Sequence, residues 1–179
     1  MWSGAHARVS TNIHEGVSSL WSILDLKQAY RFEGYTIVMN KSDILLHAIN
    51  NFYSQEENRT TLLNILDKSS GISLRNLEWF ITNYAKKNHT TYTTTDGKLF
   101  TVHCAYKSSL DGYSKRFFDP FCRSQKFSYT IPETSHEIQT TLAQLNFIKW
   151  CIKNNIIEYI RDNKTTLFNK RGTWIPLKI

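Results

Sequence analysis

A chain of 179 residues, 41% hydrophobic and 13% aromatic, is long enough to bury most of the apolar surface its unfolded form exposes, which excludes a disordered tail and a miniprotein that depends on covalent staples. The formal net charge of +7 is uneven, with about −1 on residues 1 to 80, about +5 on residues 81 to 130 and about +3 on residues 131 to 179. A basic half on a near-neutral remainder points to an anionic partner, nucleic acid or an acidic protein surface, and away from an acidic-substrate pocket elsewhere.

Residues 1 to 16 are polar, small and aperiodic and read as a leader, leaving residues 17 to 179 as a single compact domain. Residues 17 to 26, with Leu20, Trp21, Ile23 and Leu24, read as a docked short helix, and residues 35 to 39 as a β-rich strand after Gly34. Ser42 or Asp43 is the expected cap of a helix over residues 43 to 54, whose Ile44, Leu45, Ala48, Ile49 and Phe52 share one face. A second helix is expected over 59 to 67 and a third, capped by Ser73, over 74 to 87 with Leu74, Leu77, Phe80, Ile81 and Tyr84 buried.

Asp96-Gly97 between two β-branched and aromatic runs signals a two-residue hairpin joining residues 90 to 95 to residues 98 to 103. Three helices and then a hairpin is the element order of a winged helix, in which the 74 to 87 helix would read a groove and Lys98 would sit near the wing tip. Beyond it, Tyr106, Leu110, Tyr113 and Phe117 predict a helix over 105 to 118, ended before Pro120. Residues 127 to 131 read as a strand and Thr134 or Ser135 as the start of a long helix interrupted at Asn154-Asn155; residues 156 to 161 resume it, and Leu167, Phe168, Trp174 and Pro176 give the tail enough apolar surface to dock. The expected class is therefore a small α+β domain, helices followed by a hairpin with a C-terminal helical part.

The segment from Cys104 to Lys126 alternates aromatic rings with cations, the side chains that phosphates and unstacked bases meet in binding proteins. Lys107, Lys115, Arg116, Arg123 and Lys126 lie in it, and Lys86, Lys87 and Lys98 precede it. Cys104, Cys122 and Cys151 are odd in number and far apart, so no complete disulfide set forms and a reducing compartment is expected. His89, His103, Cys104, Cys122 and His136 match no common metal spacing, and adjacent His103-Cys104 in a strand would point to opposite faces. Neither a cofactor nor a metal is expected. Asp111 and Asp119 flank the basic segment and could hold magnesium for phosphoryl transfer, but salt bridges to Lys115, Arg116 or Arg123 explain them equally. No phosphate-binding glycine loop, nucleophile elbow or zinc-protease run is present, nor a stretch of about 18 consecutive apolar residues, so neither secretion nor a membrane span is expected.

Tyr106-Lys107, the run from Tyr113 to Arg123 and the run Leu142-Ala-Gln-Leu-Asn-Phe-Ile-Lys-Trp150 together resemble an uncharacterised conserved protein family of nucleocytoplasmic large DNA viruses. The resemblance covers about residues 72 to 160. It implies a viral setting, the host cytoplasm with its virus factory or the virion, and no established activity. The bias toward Asn, Ile, Lys, Tyr and Phe is the one an AT-rich genome imposes.

The expected function is non-catalytic binding of nucleic acid, DNA or RNA, through Lys86, Lys87, Lys98, Lys107, Lys115, Arg116, Arg123 and Lys126. The alternative is a virion or assembly protein that docks another viral protein through Phe118, Phe121 and Trp174. A third reading is a metal-dependent nucleic-acid enzyme using Asp111 and Asp119.

Overall fold

The computed structural model describes residues 29–32, 35–38 and 40–167. The leader, the helix expected at 17 to 26, the tail beyond residue 167 and Trp174 lie outside the described residues. Strand β1 (Ala29–Phe32) pairs antiparallel with β2 (Tyr35–Val38), so the strand expected at 35 to 39 is one arm of a hairpin.

Helix α1 (Lys41–Tyr53) starts ahead of the expected position because Asn40 is its cap, the side-chain oxygen accepting from the Asp43 amide at 3.0 Å. Asp43 stands instead in the first turn, where a carboxylate suits the helix dipole. Leu45, Ile49 and Tyr53 fall four residues apart and bury one stripe. Helix α2 (Glu56–Leu66) also begins early, with Glu56 and Glu57 in its first turn, and buries Leu62 and Ile65.

Ser73 caps α3 (Leu74–Trp79) as expected, in a reciprocal box with Asn76. The helix then widens into a π-helical run, Phe80–Tyr84, before α4 (Ala85–Asn88) ends at left-handed His89, φ 48°. The Ile81 carbonyl inside that run is met by Nδ1 of His103 at 3.2 Å, a contact that requires the proton on Nδ1.

The hairpin of β3 (Thr91–Thr93) and β4 (Leu99–Thr101) follows. Its turn is wider than two residues. Thr94 N–H donates to the Lys98 carbonyl at 2.9 Å across Thr95, Asp96 and Gly97, and Gly97 takes the left-handed position at φ 78°. Strand β4 ends at Thr101, so His103 and Cys104 are not in a strand; they lie in the first turn of α5 (Val102–Tyr113), where Val102 and Tyr106 face the core.

The expected 105 to 118 helix is broken at Ser114, φ 72°, into α5 and α6 (Lys115–Phe118). Strand β5 (Phe127–Thr130) pairs with β6 (Glu137–Thr140), which occupies the place expected for the start of the long helix. That helix, α7 (Leu142–Lys153), starts later because Thr141 caps it, accepting from the Gln144 amide at 3.2 Å. Asn154 and left-handed Asn155, φ 55°, separate it from α8 (Ile156–Asp162), as the sequence predicts, and α9 (Lys164–Leu167) follows.

Helix α7 is the core element. Ala143, Leu145, Asn146, Phe147, Ile148 and Cys151 are buried on it, and α1, α2, α6 and α8 pack against it. Tyr53 donates its hydroxyl to the Leu145 carbonyl at 2.9 Å, tying α1 to α7, and burial raises the pKa of that phenol. The winged-helix element order is present, but α1 and α2 lean on α7 while the third helix leans on α5. The molecule is a small α+β domain.

Phe118, expected as an interface anchor, is fully buried. Its ring centroid lies 5.6 Å from those of Tyr113 and Trp150 and 6.0 Å from that of Phe147. The break at Ser114 turns α6 so that this ring enters the core while Lys115 and Arg116 stay in solvent.

Gly71 sits at φ 69°, and a Cβ built there would lie 3.0 Å from Lys164 Nζ. Gly71→Ala is expected to cost about 1–2 kcal/mol through left-handed strain, read as a lower urea midpoint. An unchanged midpoint would show that the loop relaxes to an ordinary φ.

Candidate functional site

The β3–β4 hairpin and helix α7 form two walls of a cleft of about 710 Å3. The hairpin's position is fixed at the far end of α7. The Tyr92 hydroxyl donates to the Asn154 carbonyl at 2.6 Å, its ring stacks on Tyr159 at 4.8 Å, and Thr95 Oγ1 reaches Asn155 Oδ1 at 3.4 Å. Phe100, paired with Tyr92 across the hairpin, lies 5.9 Å from the Trp150 ring. Asn146, Lys149, Trp150 and Lys153 line the other wall from one face of α7, at spacings of three, four and seven residues. Tyr113, at the end of α5, adds a ring to the lining and stacks on Phe118 with an interplanar angle of 11°.

Three lysines line this cleft, Lys98, Lys149 and Lys153, against one carboxylate, Asp96. Asp96 is already bound: it accepts from the Thr94 hydroxyl and pairs with Lys98 at 2.9 Å, which hold its pKa down at about 2 and raise that of Lys98. Both partners are exposed, so the pair is a weak tie that an incoming anion can share. Lys149 is different. Its stem is partly buried, its Nζ donates to the Ala48 carbonyl at 2.9 Å, and it lies 5.7 Å from the Phe52 ring centroid.

Burial first, and the charge of Lys153 second, hold the Lys149 pKa down at about 8. An unfolded lysine titrates near 10.4. Between about pH 8 and pH 10.4 the unfolded chain therefore binds a proton that the folded chain has released, and stability rises with pH across that window; below it the cost of the buried charge is present in full. Lys149→Met is expected to flatten that rise, followed as Tm at pH 8, 9 and 10. An equal rise in the variant would place the ammonium in water.

Of the eight cations expected to bind, Lys98 alone lines the cleft. Lys86 and Lys87 are exposed in the last turn of α4, Lys107 on α5, Lys115 and Arg116 on α6, and Arg123 and Lys126 in the segment before β5. Among the described residues none of these seven has an ion-pair partner. Arg116 lines a smaller hollow of about 240 Å3 with Ser42, Asp43 and Phe117. Phe121 is 40% exposed and carries the Arg75 guanidinium 4.0 Å from its ring centroid. Asp119 Oδ1 accepts from the Phe121 amide at 3.0 Å, and Asp111 is exposed on α5. Among the described residues no three His, Cys, Asp or Glu side chains gather as a metal site would require, and no helix is long and apolar enough to cross a membrane.

Lys149, Lys153, Asn146 and Trp150 were absent from the expected site. Their one signal was the shared helical face, which in isolation reads as the edge of a buried helix.

These features define a small α+β protein carrying a cationic cleft lined with aromatic rings. The chain belongs to a family of unknown function, DUF7197, matched over residues 27–171. It is similar to an uncharacterised protein of Acanthamoeba polyphaga mimivirus, 45% identical over 107 residues, which make up 56% of this chain and 41% of the relative. The chain thus spans less than half the length of that relative. The resemblance to proteins of large DNA viruses holds. No solved structure matches.

Proposed function

We propose that this protein binds nucleic acid during infection by a large DNA virus, without itself performing catalysis. The observation that carries the reading is the cleft, lined by Lys98, Lys149 and Lys153 together with Phe100, Tyr113 and Trp150, where the one carboxylate is already engaged. Cations bind phosphates, and rings receive bases. The exposed cations on α4, α5 and α6 extend the positive surface and would steer a strand toward the cleft. The hairpin serves as one wall of the cleft, a wing's place, without the three-helix packing of a winged helix, and α7 brings Lys149 and Lys153 to the other. The place of action is the host cytoplasm or the virion.

The test is fluorescence anisotropy of labelled DNA and RNA oligonucleotides with the purified chain across roughly 50–300 mM salt. Micromolar or tighter binding that falls steeply with salt is expected; no binding at the lowest salt overturns the reading. One observation favours the alternative of a virion or assembly protein: Leu99, beside Lys98 on the hairpin, is 78% exposed. If that side chain, which also lines the cleft, anchors a viral partner, Leu99→Ser releases the partner, whereas Lys153→Ala leaves it bound.

A further inference from the structure

Depth in the cleft is graded by chemistry. The Lys98 side chain is 81% exposed and Lys153 is exposed, whereas Phe100, Tyr113, Lys149 and Trp150 are partly buried and Asn146 is 2% exposed. The rim therefore carries Lys153 and the exposed Lys98–Asp96 pair, with rings and amides deeper. The amides are held in place: Asn146 Nδ2 donates to the Phe117 carbonyl at 2.9 Å and Asn154 Nδ2 to the Trp150 carbonyl at 2.8 Å. Among the described residues neither Oδ1 receives a hydrogen bond; Asn146 is buried, and half-buried Asn154 leaves one fixed acceptor in the lining, the complement of a base's amino or imino donors.

The size is as informative as the lining. An open hollow of about 710 Å3 falls within the size range of small-ligand sites. A duplex presents a convex rod whose bases are stacked and whose grooves are read by an inserted helix or ribbon. This surface instead recedes, and its rings can meet only bases that have left the stack.

We propose that the cleft takes unpaired nucleotides of a single strand, base inward against Phe100, Tyr113 and Trp150, and phosphodiester outward against Lys98 and Lys153. This rests on the nucleic-acid reading above and specifies its substrate class.

The experiment compares a labelled single strand of about 12 nucleotides, within the usual footprint of roughly 4–16, with a blunt hairpin duplex of equal charge, and uses a free nucleoside monophosphate as competitor. A strand substituted with 5-iodouracil is then photocrosslinked and the attached peptide mapped. Single-strand binding about tenfold or more tighter than duplex binding is expected, since one stacked base contributes roughly that factor, with crosslinks on Phe100, Tyr113 or Trp150. Duplex binding as tight or tighter, or crosslinks confined to other segments, overturns the proposal while nucleic-acid binding stands. Competition by the monophosphate at concentrations matching the strand's nucleotides also overturns it, in favour of a free nucleotide. Binding of neither oligonucleotide overturns both readings together.

Discussion

Phe118→Ala is expected to cost about 3–5 kcal/mol of folding stability, the range for deleting a buried phenylalanine ring. The ring is fully buried, in edge or stacked contact with Tyr113, Phe147 and Trp150, and no neighbour on a rigid helix moves freely to fill the space. With a urea slope of about 1–3 kcal/mol/M, the midpoint falls by roughly 2 M. Phe118→Leu, which keeps most of the volume, should lose much less. A loss within about 0.5 kcal/mol for the alanine variant, the size usual for surface substitutions, would return Phe118 to the interface role that the sequence first gave it.

The second large effect is on binding. Lys98→Ala/Lys153→Ala removes two exposed cations of the cleft, and each phosphate contact to a single strand contributes a salt slope of about 0.7 in log K. At about 0.1 M salt the double variant should bind roughly 25-fold more weakly, and its salt slope should fall by about 1.4. Neither side chain supports the core, so the urea midpoint should stay within error of the parent. Lys86→Ala/Lys87→Ala is the control: these cations lie on α4, outside the cleft, and should reduce affinity less. Equal losses in the two double variants would spread the interaction over the whole basic surface.

Local chemistry was readable where it is self-contained. The stripe of Leu45 and Ile49 on α1, the Ser73 cap and the place, though not the width, of the turn at Asp96-Gly97 each carry their signal within a few residues. Strand β6 was not readable, because Glu137–Thr140 has a single apolar side chain and finds its partner across a loop with Glu133 at φ 59°. The break at Ser114 is a positive φ on a residue that gives no warning of one. The cleft was half legible: Lys98 was found from the turn beside it, but Lys149 and Lys153 become part of a site because Tyr92, Thr95 and Phe100 hold the hairpin against residues more than 45 positions away, Tyr92 bonding to a carbonyl 62 residues on. Helical period says which face of α7 is off the main stripe; it does not say what stands opposite.

That bond has an unequal genetic consequence. Tyr92 grips the main-chain oxygen of Asn154, which every amino acid supplies, so substitutions at 154 leave the anchor point in place, although they give up the side-chain tie to Trp150. Loss of the hydroxyl at 92 has no such substitute. The aim of the hairpin therefore depends more on the residue at 92 than on the one at 154, with Thr95 and Phe100 sharing the load against Asn155 and Trp150.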